Sequence, residues 1–106
     1  MKNPIHESGL YHVTGEAQYI DDIPVTPETL YGHVVTSPYA HARIVSFDLQ
    51  KARKVKGVHA VISHREIPGK NQVGPVIHDQ PALAEESVSC IGQAVFLIAA
   101  ETLESA

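Results

Sequence analysis

Seven consecutive apolar residues, AVFLIAA at 94–100, follow directly on Gly92-Gln93. The run is far too short to cross a bilayer, which takes about 20 residues. It reads instead as a strand with both faces to bury. Upstream, Val88 and Cys90 alternate with Ser89. The segment 83–102 is therefore predicted to hold the longest strand. It starts at a half-exposed edge and runs into a core covered on both sides. Cys90 reads as a small buried hydrophobe, and Gly92 as a bulge or a close backbone approach.

Such a strand needs neighbours and a cover. YGHVVTS (31–37) is rich in β-branched residues and predicts one strand; HARIVSF (41–47) predicts another, with the Ser37-Pro38 break between them. DLQKARKVKG (48–57) predicts a helix with Asp48 as its cap, Leu49, Ala52 and Val55 on one face, and a left-handed Gly57 as its stop. VHAVIS (58–63) follows as a strand. Strand, helix, strand suggests a crossover unit, right-handed if its two strands are parallel. Ser63 and Glu66 have capping-box spacing. The proline- and glycine-rich stretch 68–81 is a long surface loop, and loops of that length are often functional. Near the start, residues 1–11 read as an extended lead-in, EAQYID (16–21) as a short strand, and VTPETL (25–30) as one helical turn opening at Thr26-Pro27. Thr102 with Glu104 has the form of a helix start. The expectation for the whole is an α+β chain, one domain over 1–106, truncated at the start of its C-terminal helix.

Chemistry-bearing residues are scattered. Asp21 and Asp22 are adjacent, so on a strand they point to opposite faces and do not converge on a substrate. Accepting turn amides before Pro24 explains them better. The seven histidines include no HxH, HExxH or HxxxH pair, so a zinc site lacks its usual local spacing. With one cysteine, Cys90, there is neither an intrachain disulfide nor a thiolate cluster. No phosphate-cradling glycine pattern or GxSxG elbow is present. His41 and Arg43 share a strand face; Arg43 suits an anion or, more commonly, a structural salt bridge. Eight Lys and Arg against twelve acids give no nucleic-acid footprint. MKNPIHESG lacks the apolar core of a signal peptide. A cytoplasmic chain without membrane or nucleic-acid partners is the expectation, and nothing in it forms a self-sufficient active site.

The order of motifs adds a resemblance. HVTGEAQYIDDIP, LYGHVVTSPYAHARIVSFDLQKA, GVHAVISHREIPGKNQVGP and HDQPALAEESVSCIGQAVFLIAAET together resemble the N-terminal α/β-hammerhead domain of the molybdopterin-binding subunit in the xanthine dehydrogenase and aldehyde oxidase family. The HES and HVTGEA openings, the IPGKNQVGP loop and HDQP favour the xanthine dehydrogenase side over the aldehyde oxidase side. The resemblance implies a parent oxidoreductase of purine metabolism that hydroxylates its substrate at a molybdenum centre. Electrons then pass through iron–sulfur clusters and FAD to NAD. It also implies that the cofactor-contacting loops and the catalytic glutamate lie in later domains, so this chain holds no catalytic, cofactor or metal residue of its own. Asp21, Asp22, His41, Arg43 and Gln93 remain as structural or interface candidates, Gln93 through the hammerhead's own IGQ strand. The implied partners are the other domains of the molybdenum-binding subunit and the iron–sulfur and FAD subunits. A free-standing interaction module on the same fold, and a small metal enzyme built on the histidines, are the competing readings.

Overall fold

A computed structural model describes residues 6–106; that part of the predicted lead-in lying in 1–5 falls outside them. The body is built on a three-stranded antiparallel sheet in the order β1-β5-β3: β1 is Tyr31–Thr36, β3 is Val58–Ile62 and β5 is Ala94–Ala100. The apolar run is the central strand, as its composition requires. Its partners on both sides are the two β-branched segments, in registers Val34↔Leu97 and Ile62↔Leu97. Each pairing carries an irregularity. One lies between Val35 and Thr36, where β5 contributes the extra residue Val95; the other lies between Val58 and Ala60, around His59. A two-stranded antiparallel ribbon joins β2 (Ala42–Arg43) to β4 (Ser87–Val88).

One face of the sheet is covered. Val61 is 4% exposed and Ala100 0%. Phe47 packs edge-on against Phe96 at 5.1 Å, with the Arg65 guanidinium 4.9 Å from the Phe47 ring centre. Leu83, Ala84 and Val88 complete the buried apolar set. The opposite face is open: the cross-strand pair Val34 and Leu97 is 48% and 38% exposed. Burial of β5 on both faces is thus realised on one side only.

Several sequence expectations are corrected. The 41–47 strand shortens to β2 because its partner β4 has only two residues. After Ile44 donates to the Glu86 carbonyl at 2.7 Å the ladder has run out, and 44–49 continues without one. The helix α2 covers only Gln50–Arg53. Asp48 does accept the Gln50 N–H at 2.8 Å. Beyond Arg53 the bonds tighten to i→i+3 (Lys54 to Lys51, Val55 to Ala52), as the chain must already turn into β3. The strands flanking α2 do not form the crossover unit, because β2 and β3 lie in different sheets; it is β1 and β3, both antiparallel to β5, that run parallel to each other on its two sides.

EAQYID is not a strand. Residues 9–14 form a short helix, α1, and the Glu16 and Ala17 N–H groups both donate to the Tyr11 carbonyl at 2.9 Å. A 3-10 turn then spans Ile20–Asp22. Without a neighbouring strand, alternation has no ladder to join. VTPETL closes as a single turn, Thr29 N–H to the Thr26 carbonyl at 3.0 Å, rather than a helical one. Cys90 is exposed, because the chain leaves the alternating path there. Cys90 to Gln93 is a tight turn, and Gly92 adopts φ +86°, the left-handed value such a turn needs at its third position. Gly92 is therefore neither a bulge nor a close approach.

Two expectations hold with their geometry intact. Gly57 is left-handed at φ +89°, and a Cβ there would sit 3.2 Å from the Ser105 hydroxyl oxygen. Gly57→Ala is expected to cost about 1–2 kcal/mol for the left-handed backbone alone, read as a fall in the urea midpoint; an unchanged midpoint would refute the argument. Ser63 and Glu66 form the capping box. The Ser63 hydroxyl donates to Glu66 Oε2 at 2.6 Å, the Ser63 N–H donates to the same oxygen at 2.8 Å, and Arg53 donates to Oε1 at 2.8 Å. These donors, the Ser63 hydroxyl foremost, lower the Glu66 pKa from 4.5 to about 2. A depressed carboxylate stabilises the fold fully above its unfolded pKa, and that stabilisation disappears as pH falls through the folded value. Between pH 4.5 and about 2, Glu66→Gln should therefore flatten the loss of Tm seen in the parent chain. Identical slopes in calorimetry over that window would reject the linkage.

Candidate functional site

The five candidate residues sit on three separate parts of the chain, with no hydrogen bond between those parts among the described residues. Asp22 Oδ2 accepts the Tyr19 N–H at 3.0 Å, closing the 3-10 turn, while Asp21 is exposed with no hydrogen-bond partner among the described residues. His41 is exposed just before β2. Arg43 pairs through its backbone with Ser87 and shares a small surface hollow with Ile44, Val45 and Glu86, yet forms no ion pair within 4.0 Å among the described residues. Gln93 is half-buried: its Oε1 accepts the Ser89 N–H at 2.7 Å and the Ser89 hydroxyl at 3.2 Å, and its carbonyl accepts the Ser37 N–H at 2.9 Å. The Gln93 side chain thus closes the turn onto Ser89, and its backbone carbonyl ties that turn to Ser37 at the end of β1.

Sequence reasoning passed over Asn71. Its Nδ2 donates to the Leu83 carbonyl at 2.7 Å and to Glu85 Oε1 at 2.8 Å, and its Oδ1 accepts the Leu83 N–H at 2.9 Å. The long loop is thereby clamped at its base, with a second rung from Val73 N–H to the Gln80 carbonyl at 3.0 Å. No spacing rule links an asparagine to a backbone twelve residues on; the one available signal was its place in a loop too long to stand unsupported. Beside the clamp lies an open cleft of about 570 Å³ lined by Lys70, Gln72, His78, Asp79, Glu85 and Glu86, among others. His78 Nδ1 lies 2.9 Å from the Gly74 carbonyl. Gln72 Nε2 and His64 Nδ1 are buried without a partner.

These groups do not make a reaction centre. Among the described residues no three His, Cys, Asp or Glu side chains gather to hold a metal. The cleft sets three carboxylates, Asp79, Glu85 and Glu86, against one lysine, which repels a phosphate-bearing pterin. A single cysteine cannot carry an iron–sulfur cluster. The residues present therefore do not fit a molybdenum–pterin group or its electron-transfer clusters. Among the described residues, no helix is long and apolar enough to cross a membrane.

What the chain presents is a one-sided antiparallel sheet and a clamped loop, with no metal-ligand cluster among the described residues. Residues 14–106 match the family described as aldehyde oxidase and xanthine dehydrogenase, a/b hammerhead domain, and the chain belongs to that family. It is 43% identical over 102 residues to a xanthine dehydrogenase of Oryza sativa subsp. japonica, covering 96% of this chain and 8% of that protein. It is also 43% identical over 101 residues to the nicotinate dehydrogenase large molybdopterin subunit of Eubacterium barkeri, covering 95% of this chain and 24% of that one. Among solved structures, a Cu,Mo-CO dehydrogenase superposes with a TM-score of 0.74 at 30% identity, over 96% of this chain and 13% of that one. The fold is thus the α+β hammerhead of molybdenum-containing oxidoreductases, and the chain spans a small part of the relatives it matches.

Proposed function

We propose that this chain is the N-terminal structural domain of the molybdopterin-binding subunit of a xanthine dehydrogenase in the cytoplasm. The parent enzyme hydroxylates a purine at a molybdenum centre and sends the electrons through iron–sulfur clusters and FAD to NAD. The domain itself is non-catalytic. It packs against the cofactor-holding domains of its own subunit and supports their contact with the iron–sulfur and FAD partners. The observation that carries the reading is the match to a xanthine dehydrogenase across 96% of this chain and only 8% of that protein. The open sheet face with Val34 and Leu97 supports it, because an apolar face of that kind is ordinarily covered. A nicotinate dehydrogenase subunit is equally similar, so turnover of xanthine against nicotinate decides the substrate.

The test is to purify the native protein, measure its intact mass and molybdenum content, and assay xanthine-dependent reduction of NAD. A large molybdenum-loaded subunit that turns over xanthine is expected, while the 106-residue chain alone should be inactive and free of molybdenum. Turnover by the chain alone, or a native protein of only 11.5 kDa, would sink the reading.

A further inference from the structure

Residues 6–30 form an arm whose hydrogen bonds, among the described residues, all close within it. Examples are Thr14 to the Leu10 carbonyl, Tyr19 to Asp22, and Thr26 to Thr29. No packing of appreciable extent joins α1 or the 3-10 turn to the sheets or to α2. The molecule measures 60 × 39 × 26 Å with a radius of gyration of 19.2 Å, against roughly 13 Å for a compact chain of this length. The arm nevertheless carries the side chains of a core element. Ile20 is 85% exposed, Val13 82%, Val25 80%, Leu10 64% and Ile23 57%.

Charge divides along the same line. Glu7, Glu16, Asp21, Asp22 and Glu28 lie in the arm, with no Lys or Arg among them; residues 31–106 carry seven acids and seven Lys or Arg. The body is neutral, and the arm holds the net negative charge.

From this we infer that the arm is a preformed docking element whose receptor is an apolar groove rimmed by Lys and Arg, on the part of the molybdenum-binding subunit outside this chain. The inference rests on the function proposed above. An apolar segment with uncompensated carboxylates gains most from a surface that offers both hydrocarbon and cations. The turn closed by Asp22 and the helix ended at Gly15 fix the backbone in advance, which lowers the ordering cost of docking. Asp21, exposed and without a hydrogen-bond partner among the described residues, is placed to meet the cationic rim.

Amide hydrogen exchange in the native subunit and in the isolated chain tests this. In the isolated chain, amides 10–23 should show only the weak protection that their local hydrogen bonds give; in the subunit they should slow by at least about tenfold more. Ile20→Glu with Ile23→Glu should abolish that protection, and Asp21→Lys with Glu28→Lys should reduce it, while β1, β3 and β5 keep theirs. Fast exchange of the arm in a large molybdenum subunit overturns the inference and leaves the proposed function standing. Protection in the isolated chain as strong as in the subunit also overturns it, since the arm then docks on this chain itself or on a second copy. Protection insensitive to the charge reversal overturns the cationic rim. An intact mass of 11.5 kDa overturns both readings before any exchange is measured.

Discussion

Replacing Leu83 by Ala should unfold most of the chain at moderate urea. Leu83 is 2% exposed and sits where the clamped loop meets the ribbon. Truncating a buried leucine costs about 2–5 kcal/mol through lost transfer energy and the cavity left behind. A domain of this size has a total stability of roughly 5–15 kcal/mol. Among the described residues the buried apolar set is only Val61, Leu83, Ala84, Val88 and Ala100, which places the chain toward the lower end. The expected result is a urea midpoint lowered by a third or more, with an unchanged slope. A midpoint within error of the parent would mean that Leu83 is not a core residue.

The second large effect is expected at Asn71. Asn71→Ala removes both bonds to the Leu83 backbone and the bond to Glu85. Leu83 is buried, so its N–H and C=O would lose partners that water cannot easily replace, at about 1–3 kcal/mol for each group left unsatisfied. Asn71→Asp keeps the acceptor, loses the donor and sets a second carboxylate beside Glu85. It should be at least as damaging as alanine at neutral pH and should partly recover on acidification. Exchange at amides 72–80 should quicken in both variants, since the loop loses its base. Unaltered loop exchange in Asn71→Ala would show that the clamp does not hold it. Because Asn71 and Leu83 touch, the double variant should lose less than the two single losses combined.

The sequence made some of this legible. β1, β3 and β5 were readable because β-branched and continuous apolar runs carry their own signal. The Ser63–Glu66 box was readable because its partners are three residues apart. What failed was decided at long range. The 41–47 segment has the composition of a strand, but its length was set by a two-residue partner in another part of the chain. Cys90 continues an alternation that the Gly92 turn cuts short. The arm was misread because its alternating residues face no neighbouring strand, so the pattern carried no information about a ladder. In the candidate site, the closure of the Asp22 turn rests on residues three apart, whereas the Asn71 clamp joins positions twelve apart and leaves no mark in local spacing.

The position of β5 has a consequence for how the protein is made. The middle strand of the sheet is the last strand in the chain, and it pairs with both β1 and β3. A ribosome adding about 5–20 residues per second takes roughly 3–14 s to go from the start of β1 to the end of β5. For roughly the last 2–8 s of that interval, after β3 is complete, two apolar strands wait without the partner that lies between them. Synthesis that stalls between Ile62 and Ala94 leaves a polypeptide with the two outer strands of a sheet and no centre.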